Sequence, residues 1–389
     1  MPTTTLVQDC FAYAHPNART RRNVRYGPRL HHRLNYYSNI RRVPGGNPLA
    51  IVFHGGSYSA NDKTDFIEGN SSSSLGRFWH SFLLDSSTYG TSRCFDVISA
   101  EYHCHAHERI HASAVSFAYE DTYASIPANV GTQNYPMYLG AAIDDAQRVV
   151  QWAKKHAAGL GIDPTKIGLL GHSMGGYTAL CAAFTPSRAW KKSGGHEFDA
   201  NADSSVRCVV VWAAEVDLDP WFMSHRITRY VPGFVESERT NVRADMERAF
   251  LIPDSKGLFP KGSVKTALCR SLSPVDLIRR KDPARAHVRV HAHYLDNMPF
   301  GSGESADLEK TTTPSEDYTT IPPYDAGGHD HRQFGVLRDA CLDAGLTFSG
   351  QVLDGDQFTT GIITPPNRLK EALESTLVKT YDALNLATQ

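Results

Sequence analysis

The sequence has no long apolar run and no excess of either charge. No stretch of its 389 residues approaches the roughly 18 consecutive apolar residues of a membrane span, so we expect no transmembrane segment. Its 40 Lys and Arg residues balance 41 Asp and Glu residues, and the formal net charge of −1 offers no basic surface for nucleic acid. Hydrophobic residues make up 41% of the chain, which excludes a disordered or collagen-like protein.

Cysteine is also scarce. The seven cysteines are an odd number without paired close spacing, which indicates reduced thiols rather than a disulfide framework. The first residues lack the basic segment followed by an apolar segment that is typical of a signal peptide. We therefore expect an intracellular protein in a reducing compartment, either the cytoplasm or the interior of an organelle.

Short apolar runs bounded by turn residues predict buried strands of a parallel sheet. The clearest runs lie at 49–53, 96–100, 166–170 and 206–212, and weaker ones lie at 288–292 and 347–353. Helical periodicity separates them, at 136–160, 174–184, 330–344 and 367–385. This alternation predicts a single doubly wound α/β domain over residues 1–389.

Three long stretches do not fit a minimal sheet. Residues 57–93 are polar and Ser-rich, and residues 299–328 are rich in Thr, Ser, Pro and Gly, so both are predicted to be loop inserts. Residues 217–272 contain helical pieces between two predicted strands and are predicted to form a cap. Loops of this length commonly serve as lids or interaction surfaces.

The motif Gly-His-Ser-Met-Gly occupies residues 171–175 and is followed by Gly176. It lies directly after the apolar run at 167–170 and directly before a helical stretch. A G-x-S-x-G motif between a strand and a helix predicts the sharp turn that exposes a nucleophilic serine, here Ser173. A glycine-rich turn without a catalytic role is the alternative interpretation.

A second glycine-rich segment, His-Gly-Gly-Ser-Tyr, occupies residues 54–58 and ends the strand predicted at 49–53. Ester hydrolysis develops negative charge on the carbonyl oxygen, and backbone N–H groups of such a loop stabilise that charge without reorganisation. The amide that follows the nucleophile, that of Met174, is expected to share this role. The segment therefore supports the same chemistry as Ser173 independently.

With these motifs the chain resembles the α/β-hydrolase family, in the branch of esterases and lipases that carry an H-G-G oxyanion motif. The resemblance covers roughly residues 26–385 and is densest at 161–176. It implies an eight-stranded, mostly parallel sheet and cleavage of carboxylic esters, occasionally amides, through an acyl-enzyme and without a cofactor. It also implies that the oxyanion is held by the amides of Gly56, Ser57 and Met174.

The resemblance further implies a catalytic triad in the chain order serine, acid, histidine. Asp296, in the segment after the strand predicted at 288–292, matches the position of the family's acid. Glu215 and Asp217 are alternatives, because some relatives place the acid after the preceding strand. An Asp at a strand end is also commonly a turn residue.

The catalytic histidine is missing from its usual place. The family carries it in a loop after the last strand, where this chain has Asp356 in the sequence Gly-Asp-Gln-Phe. All 18 histidines lie at or before His331, and residues 332–389 contain none. Without an imidazole, Ser173 would lack its general base and would be a poor nucleophile.

Two arrangements would restore the base. In the first, His329, or as second choice His331, reaches Ser173 from the loop before the last strand. In the second, this Gly-Gly-His segment is itself the final loop, and residues 347–389 are an appended strand and helix. The first is favoured, because the helix expected between acid and histidine is missing at 299–323 and present at 330–346.

A metal site is the main alternative of a different chemical class. His103, His105 and His107 alternate at period two, so on an extended segment they would share one face and could bind zinc. None of the standard zinc-ligand spacings occurs, however, and His291 and His293 are expected several strands away. We therefore predict no metal site and no cofactor.

The sequence leaves two functional hypotheses. The first is a serine hydrolase acting on a small-molecule ester, in which Ser173 attacks, His329 moves the proton and Asp296 orients the imidazole. The second is a catalytically inactive protein of hydrolase fold with a role in an assembly, its inserts contacting other proteins. The Ser173 motif favours the first hypothesis and the missing C-terminal histidine favours the second.

Overall fold

The computed structural model describes residues 18–27, 31–55, 95–102, 137–186, 203–218, 272–296, 332–354 and 382–384. These residues contain one eight-stranded sheet whose strands lie side by side in the order 1-2-4-3-5-6-7-8. The first two pairings are antiparallel and the remaining five are parallel, which confirms the predicted mostly parallel sheet. The strands are β1 (Ala18–Arg25), β2 (Arg33–Asn39), β3 (Asn47–Phe53), β4 (Asp96–Ala100), β5 (Ile162–His172), β6 (Cys208–Trp212), β7 (Arg289–Asp296) and β8 (Phe348–Asp354).

Helices connect most of the parallel strands. They are α1 (Met137–Lys155), α2 (Ala157–Leu160), α3 (Met174–Phe184), α4 (Pro274–Arg279) and α5 (Arg332–Asp343), with a 3₁₀ turn at Pro283–Arg285. The second helix ends at Gly161, whose φ of 72° lies in the left-handed region that favours glycine. Within the described ranges, no helix is long and apolar enough to cross a membrane.

The core lies around the centre of the sheet. Every residue of β3, β4 and β6 is buried, which agrees with their continuous apolar runs. All eleven residues of α3 are buried as well. The short helical piece 382–384 packs on β5, since a Cβ at Gly168 would lie 3.4 Å from a methyl group of Leu384.

A polar network closes the sheet at the amino end of β4. The carboxylate of Asp96 accepts hydrogen bonds from the Asn39 amide at 3.0 Å, the Asn47 side chain at 2.8 Å and the Arg42 guanidinium at 2.8 Å. The Tyr36 hydroxyl donates to the same carboxylate, and burial raises the pKa of that hydroxyl. This network connects the turn between β2 and β3 to the amino end of β4. The amino ends of the parallel strands lie opposite the end that carries Ser173.

The last two strands exclude one of the two arrangements proposed for the histidine. β8 pairs with β7 in parallel register from Val290–Phe348 to Asp296–Asp354, and α5 forms the connection between them. Residues 348–354 are therefore the eighth strand of the sheet rather than an appended unit. The interpretation of 347–389 as an added strand and helix is wrong, because the ladder with β7 is continuous.

The three predicted inserts fall outside most of the described residues. Only the ends of the proposed cap, 217–218 and 272, belong to the described ranges, and the segments 57–93 and 299–328 lie entirely outside them. The cap and the two loop inserts therefore stay predictions.

Candidate active site

Ser173 lies at the sharp turn between β5 and α3. Its backbone has φ 54° and ψ −130°, a conformation that side-chain-bearing residues rarely adopt. The turn is held on both sides, because the Ser173 amide donates to the Trp212 carbonyl at 2.9 Å and the Tyr177 amide donates to the Ser173 carbonyl at 3.0 Å. A strained serine between a strand and a helix has the geometry that the G-x-S-x-G pattern predicts.

The glycines of the motif allow the turn to pack closely. A Cβ at Gly171 would lie 2.2 Å from the Gly175 carbonyl oxygen, and a Cβ at Gly175 would lie 2.2 Å from the Phe53 carbonyl oxygen. A Cβ at Gly176 would lie 2.7 Å from that of Ala214. The turn is therefore pressed against the carboxyl ends of β3 and β6, which leaves no room for side chains at these positions.

The His-Gly-Gly segment begins next to this turn. A Cβ at Gly55 would lie 3.3 Å from the Cβ of Ser173 and 3.0 Å from Nδ1 of His172. Of the three predicted oxyanion donors, Met174 is the first residue of α3, directly after Ser173. Gly56 and Ser57 lie outside the described residues. The structure thus brings the start of the predicted oxyanion loop beside the predicted nucleophile.

His54 is held by several groups at the carboxyl ends of β3 and β4. Its Nε2 lies 3.1 Å from Oε1 of Glu101, and its Nδ1 lies 2.8 Å from the Gly55 carbonyl oxygen. The Tyr102 ring stacks on the imidazole with centroids 4.6 Å apart, and the Tyr102 hydroxyl donates to the His54 carbonyl. Neither Glu101 nor Tyr102 is predicted from the sequence as a site residue, because neither belongs to a recognisable motif.

The candidate acids lie at the ends of two adjacent strands. The sequence analysis ends the late strand at residue 292 and places Asp296 in the following loop, but β7 extends to Asp296. Its backbone pairs with that of Asp354, the last residue of β8. Glu215 is buried and Asp217 half-buried, both after the carboxyl end of β6. All three candidates therefore lie at the carboxyl ends of the parallel strands, as Ser173 does.

The candidate bases His329 and His331 lie outside the described residues, as does Asp356. The helix that follows them is well placed, however. The Val216 amide donates to Oε1 of Gln333 at 2.6 Å, and Gln333 is fully buried. This contact fixes the first turn of α5 beside the carboxyl end of β6, the strand whose Trp212 carbonyl accepts from Ser173.

A pair of histidines that the sequence analysis set aside lies on β7. Nε2 of His291 is 2.7 Å from Nε2 of His293, and the His293 ring stacks on Trp212 with centroids 4.5 Å apart. Burial, together with the neighbouring His291, lowers the pKa of His293 well below its usual value, so His293 is neutral at pH 7. Their spacing of two residues on one strand is the signal that predicts the contact.

One cluster of metal-binding side-chain types occurs among the described residues. It consists of His31, His32 and Asp145, all buried. Nε2 of His31 lies 2.9 Å from one carboxylate oxygen and Nε2 of His32 lies 2.8 Å from the other, which are hydrogen-bond lengths. Burial alone would raise the pKa of Asp145, but the charges and hydrogen bonds of the two imidazoles outweigh it and hold that pKa well below its usual value.

The cluster is therefore explained as a hydrogen-bonded charge network between α1 and the segment before β2. The histidines for which the sequence suggested zinc binding, His103, His105 and His107, lie outside the described residues. No step of the chemistry considered for Ser173 needs a metal or a cofactor.

The sheet order, the buried parallel strands and the strand–serine–helix turn define an α/β-hydrolase fold. A family model described as BD-FAE matches residues 106–286, just under half of the chain, and this range includes Ser173. A comparison with curated proteins gives no match.

Several solved esterase structures have the same fold. A truncated carbohydrate esterase from gut microbiota is 15% identical, with a TM-score of 0.53, and the alignment covers 95% of this chain and 98% of that one. Esterase B from Lactobacillus rhamnosis is 13% identical, with a TM-score of 0.54 and coverage of 95% and 88%. A thermophilic esterase from the planctomycete Thermogutta terrifontis, with bound propionate, is 14% identical, with a TM-score of 0.51 and coverage of 96% and 97%. These likenesses confirm the fold.

Proposed function

We propose that the protein is a serine hydrolase that cleaves a carboxylic ester, or an amide, through an acyl-enzyme on Ser173. The observation that carries this proposal is the backbone of Ser173, whose positive φ is maintained beside Gly55 and the Trp212 carbonyl. Strain of this kind persists only where the surrounding structure enforces it, and it is concentrated at functional sites. The three similar solved structures described above are esterases, which supports the same reaction.

The reaction follows from the roles of the predicted groups. Oγ of Ser173 attacks the ester carbonyl carbon while His329 takes the hydroxyl proton, and the carbonyl π electrons move to the oxygen. The amides of Gly56, Ser57 and Met174 stabilise this oxyanion. The intermediate then collapses, the C–O bond to the alcohol breaks, and His329 returns the proton to the leaving oxygen. Water, activated by the same imidazole, hydrolyses the acyl-enzyme.

The position of α5 supports His329, or His331 in its place, as the base. Gln333 is anchored at the carboxyl end of β6, and two residues span at most about 7 Å, so a histidine at position 331 can reach this end of the sheet. His329 is four residues from the same anchor, which allows it to extend further toward Ser173. A histidine supplied from before β8 would replace the one that Asp356 displaces from the loop after it.

Asp296 fits the role of the acid that orients this imidazole. β7 lies two strands from β5, so the carboxyl ends of the two strands are about 10 Å apart, at a spacing of about 4.8 Å per strand. A gap of that size accommodates one imidazole between a serine and a carboxylate. The acid would hold the tautomer in which the nitrogen facing Ser173 accepts the proton.

The second candidate function is a catalytically inactive protein that serves in an assembly through its inserts. One observation favours it: residues 332–389 contain no histidine, and Asp356 stands where the family has its base. Under this hypothesis, the turn at Ser173 would be retained for packing alone.

Active-site labelling separates the two functions. The full chain is reacted with a fluorophosphonate probe and assayed with p-nitrophenyl acetate, beside Ser173→Ala, His329→Ala and His331→Ala. Loss of the nucleophile or of the base is expected to lower kcat by at least about 10⁴-fold, because members of a triad act as a unit. His287→Ala is the matched control, since that histidine contacts the Val206 carbonyl at the opposite edge of the sheet.

The outcomes assign the roles. Labelling that requires Ser173 and turnover that requires His329 support the proposal. Turnover lost in His331→Ala and retained in His329→Ala moves the base by two residues. If the wild-type protein shows no Ser173-dependent labelling or turnover, the serine hydrolase proposal is wrong. The catalytically inactive protein that serves in an assembly is then the remaining hypothesis.

A further inference from the structure

We propose that Glu101 is a positioning residue of the oxyanion site, which keeps the His54 ring in its charged, doubly protonated form so that this ring fixes and polarises the peptide after Gly55. The proposal rests on the esterase function proposed above. It adds a residue that lies outside the triad and outside both glycine-rich motifs.

The charge of His54 follows from its two partners. The Gly55 carbonyl oxygen can only accept a hydrogen bond, so Nδ1 of His54, 2.8 Å away, must carry a hydrogen. In the proposed state Glu101 is ionised, so its carboxylate also only accepts and Nε2, 3.1 Å away, carries a hydrogen as well. A ring that donates from both nitrogens is an imidazolium, and the pair is a buried ion pair.

Burial strengthens this pair. The side chains of His54 and Glu101 are 1% and 5% exposed, so little water screens their attraction. Glu101 is also fixed by its backbone, because its amide donates to the Arg33 carbonyl at 2.9 Å and its carbonyl accepts from the Tyr26 hydroxyl at 2.6 Å. The Glu101 carboxylate contacts the imidazole from this fixed backbone, and the stacked Tyr102 ring limits rotation of the imidazole.

The ring acts on the oxyanion loop through one peptide group. In a trans peptide the N–H points opposite to the C=O, so holding the Gly55 carbonyl fixes the direction of the amide that follows it. That amide belongs to Gly56, a predicted oxyanion donor. A hydrogen bond from a cation also polarises the peptide more strongly than one from a neutral ring, which makes the following N–H a better donor.

The other titratable groups around the ring are few among the described residues. Tyr102, after β4, lies against its face, Tyr26 contacts Glu101 through its hydroxyl, and His172, at the end of β5, faces Gly55. None of these three is an anion at neutral pH, and Glu101 is the described carboxylate that contacts the His54 ring.

The test compares Glu101→Gln with Asp96→Asn, which removes a buried carboxylate at the other end of the same strand. A glutamine keeps a hydrogen-bond acceptor but no charge, so the buried His54 ring is expected to lose its extra proton. At pH 8 we expect kcat of Glu101→Gln to fall about tenfold with KM changed less than about twofold, and we expect the loss relative to wild type to become smaller as the pH is lowered. Asp96→Asn is expected to keep the wild-type pH profile.

A second readout does not depend on catalysis. In protein labelled with ¹⁵N-histidine, an imidazolium gives two similar nitrogen shifts and a neutral ring gives two well-separated ones. The His54 signals are identified by their loss in His54→Gln. We expect wild-type His54 to stay an imidazolium through pH 8 and the Glu101→Gln ring to become neutral.

These outcomes separate the two proposals. A neutral His54 in the wild-type protein at pH 7 overturns the inference whatever the activity. So does a pH profile of Glu101→Gln that is parallel to wild type while turnover is normal. If the wild-type protein shows no Ser173 labelling, the esterase function fails and the positioning role fails with it, while the nitrogen shifts still report the charge of His54.

Discussion

A buried carboxylate stands at each end of β4, and the two have different surroundings. Asp96, the first residue of the strand, accepts hydrogen bonds from several donors on the turn between β2 and β3. The carboxylate of Glu101, one residue past the strand's end, contacts the imidazole of His54 next to Gly55. Asp96, at the amino end of the strand, connects β2, β3 and the turn between them. Glu101, at the carboxyl end, contacts the residues around Ser173.

Of the four described non-glycine residues with a positive φ, two lie at the carboxyl ends of the parallel strands. Ser173 and Ala213, with φ of 54° and 44°, follow the carboxyl ends of the adjacent strands β5 and β6. The Ala213 amide donates to the His293 carbonyl, so this strain is held by the next strand of the sheet. Both positions place strained backbone next to the residues around Ser173, where reacting groups need a fixed geometry.

The largest effect is expected from disrupting the packing at the carboxyl ends of the strands, by a substitution at Gly175. In Gly175→Ala the new Cβ would lie 2.2 Å from the Phe53 carbonyl oxygen and 2.4 Å from that of His54, so β3 and α3 must separate. We expect a loss of at least about 3 kcal/mol in the free energy of unfolding, and loss of fluorophosphonate labelling. Urea denaturation and labelling measure the two effects.

Gly159→Ala is the control, because a Cβ there meets nothing within 4 Å and the residue lies in α2. We expect it to be neutral or to stabilise the protein by up to about 1 kcal/mol. Normal labelling in Gly175→Ala would show that the turn is not pressed against β3.

A smaller effect is expected from disrupting the hydrogen-bond network of Asp96 at the amino end of β4. In Asp96→Asn the buried carboxylate that pairs with Arg42 becomes an amide, one of whose groups donates rather than accepts. We expect about 2–3 kcal/mol of destabilisation with kcat/KM per folded molecule unchanged. Chemical denaturation and ester turnover, measured on the same preparation, test this. A lower kcat in fully folded Asp96→Asn would contradict the view that Asp96 affects stability and not catalysis.

The smallest effect concerns pH and His293. Its pKa is depressed in the folded protein, so the unfolded chain binds the proton more readily, and stability falls as the pH drops below about 6.5. The slope is at most about 1.4 kcal/mol per pH unit for one proton. We expect His293→Phe, which keeps an aromatic ring against Trp212, to flatten the free energy of unfolding measured between pH 5 and 7. An unchanged slope would assign the pH dependence to other groups.

The sequence predicts the centre of the sheet well and its first edge poorly. Residues 96–100 were predicted as a strand and form β4 with the same bounds, because a strand buried on both faces has a continuous apolar pattern. β1 was not predicted, since it is rich in arginine and its residues alternate between half-buried and exposed. A polar segment of this kind is predicted as a loop from sequence alone. Its strand conformation depends on pairing with β2.

Part of the site was predictable for a similar reason. The turn at Ser173 is encoded by residues that are consecutive in the chain, so a short motif identifies it. His54 and Glu101 are 47 residues apart, and His31 and Asp145 are 114 apart. Periodicity and motifs report on chain neighbours, so contacts of this separation become visible only when the sheet order is known.

The contact between Gly168 and Leu384 bears on how the chain is made. Gly168 lies in the strand that leads to Ser173, and the residue that covers it is 216 positions further along the sequence. At synthesis rates of about 5–20 residues per second, Leu384 emerges from the ribosome roughly 10–40 s after Gly168. During this interval Gly168 lacks its contact with Leu384, so a chaperone that binds nascent apolar segments would have its opportunity at β5.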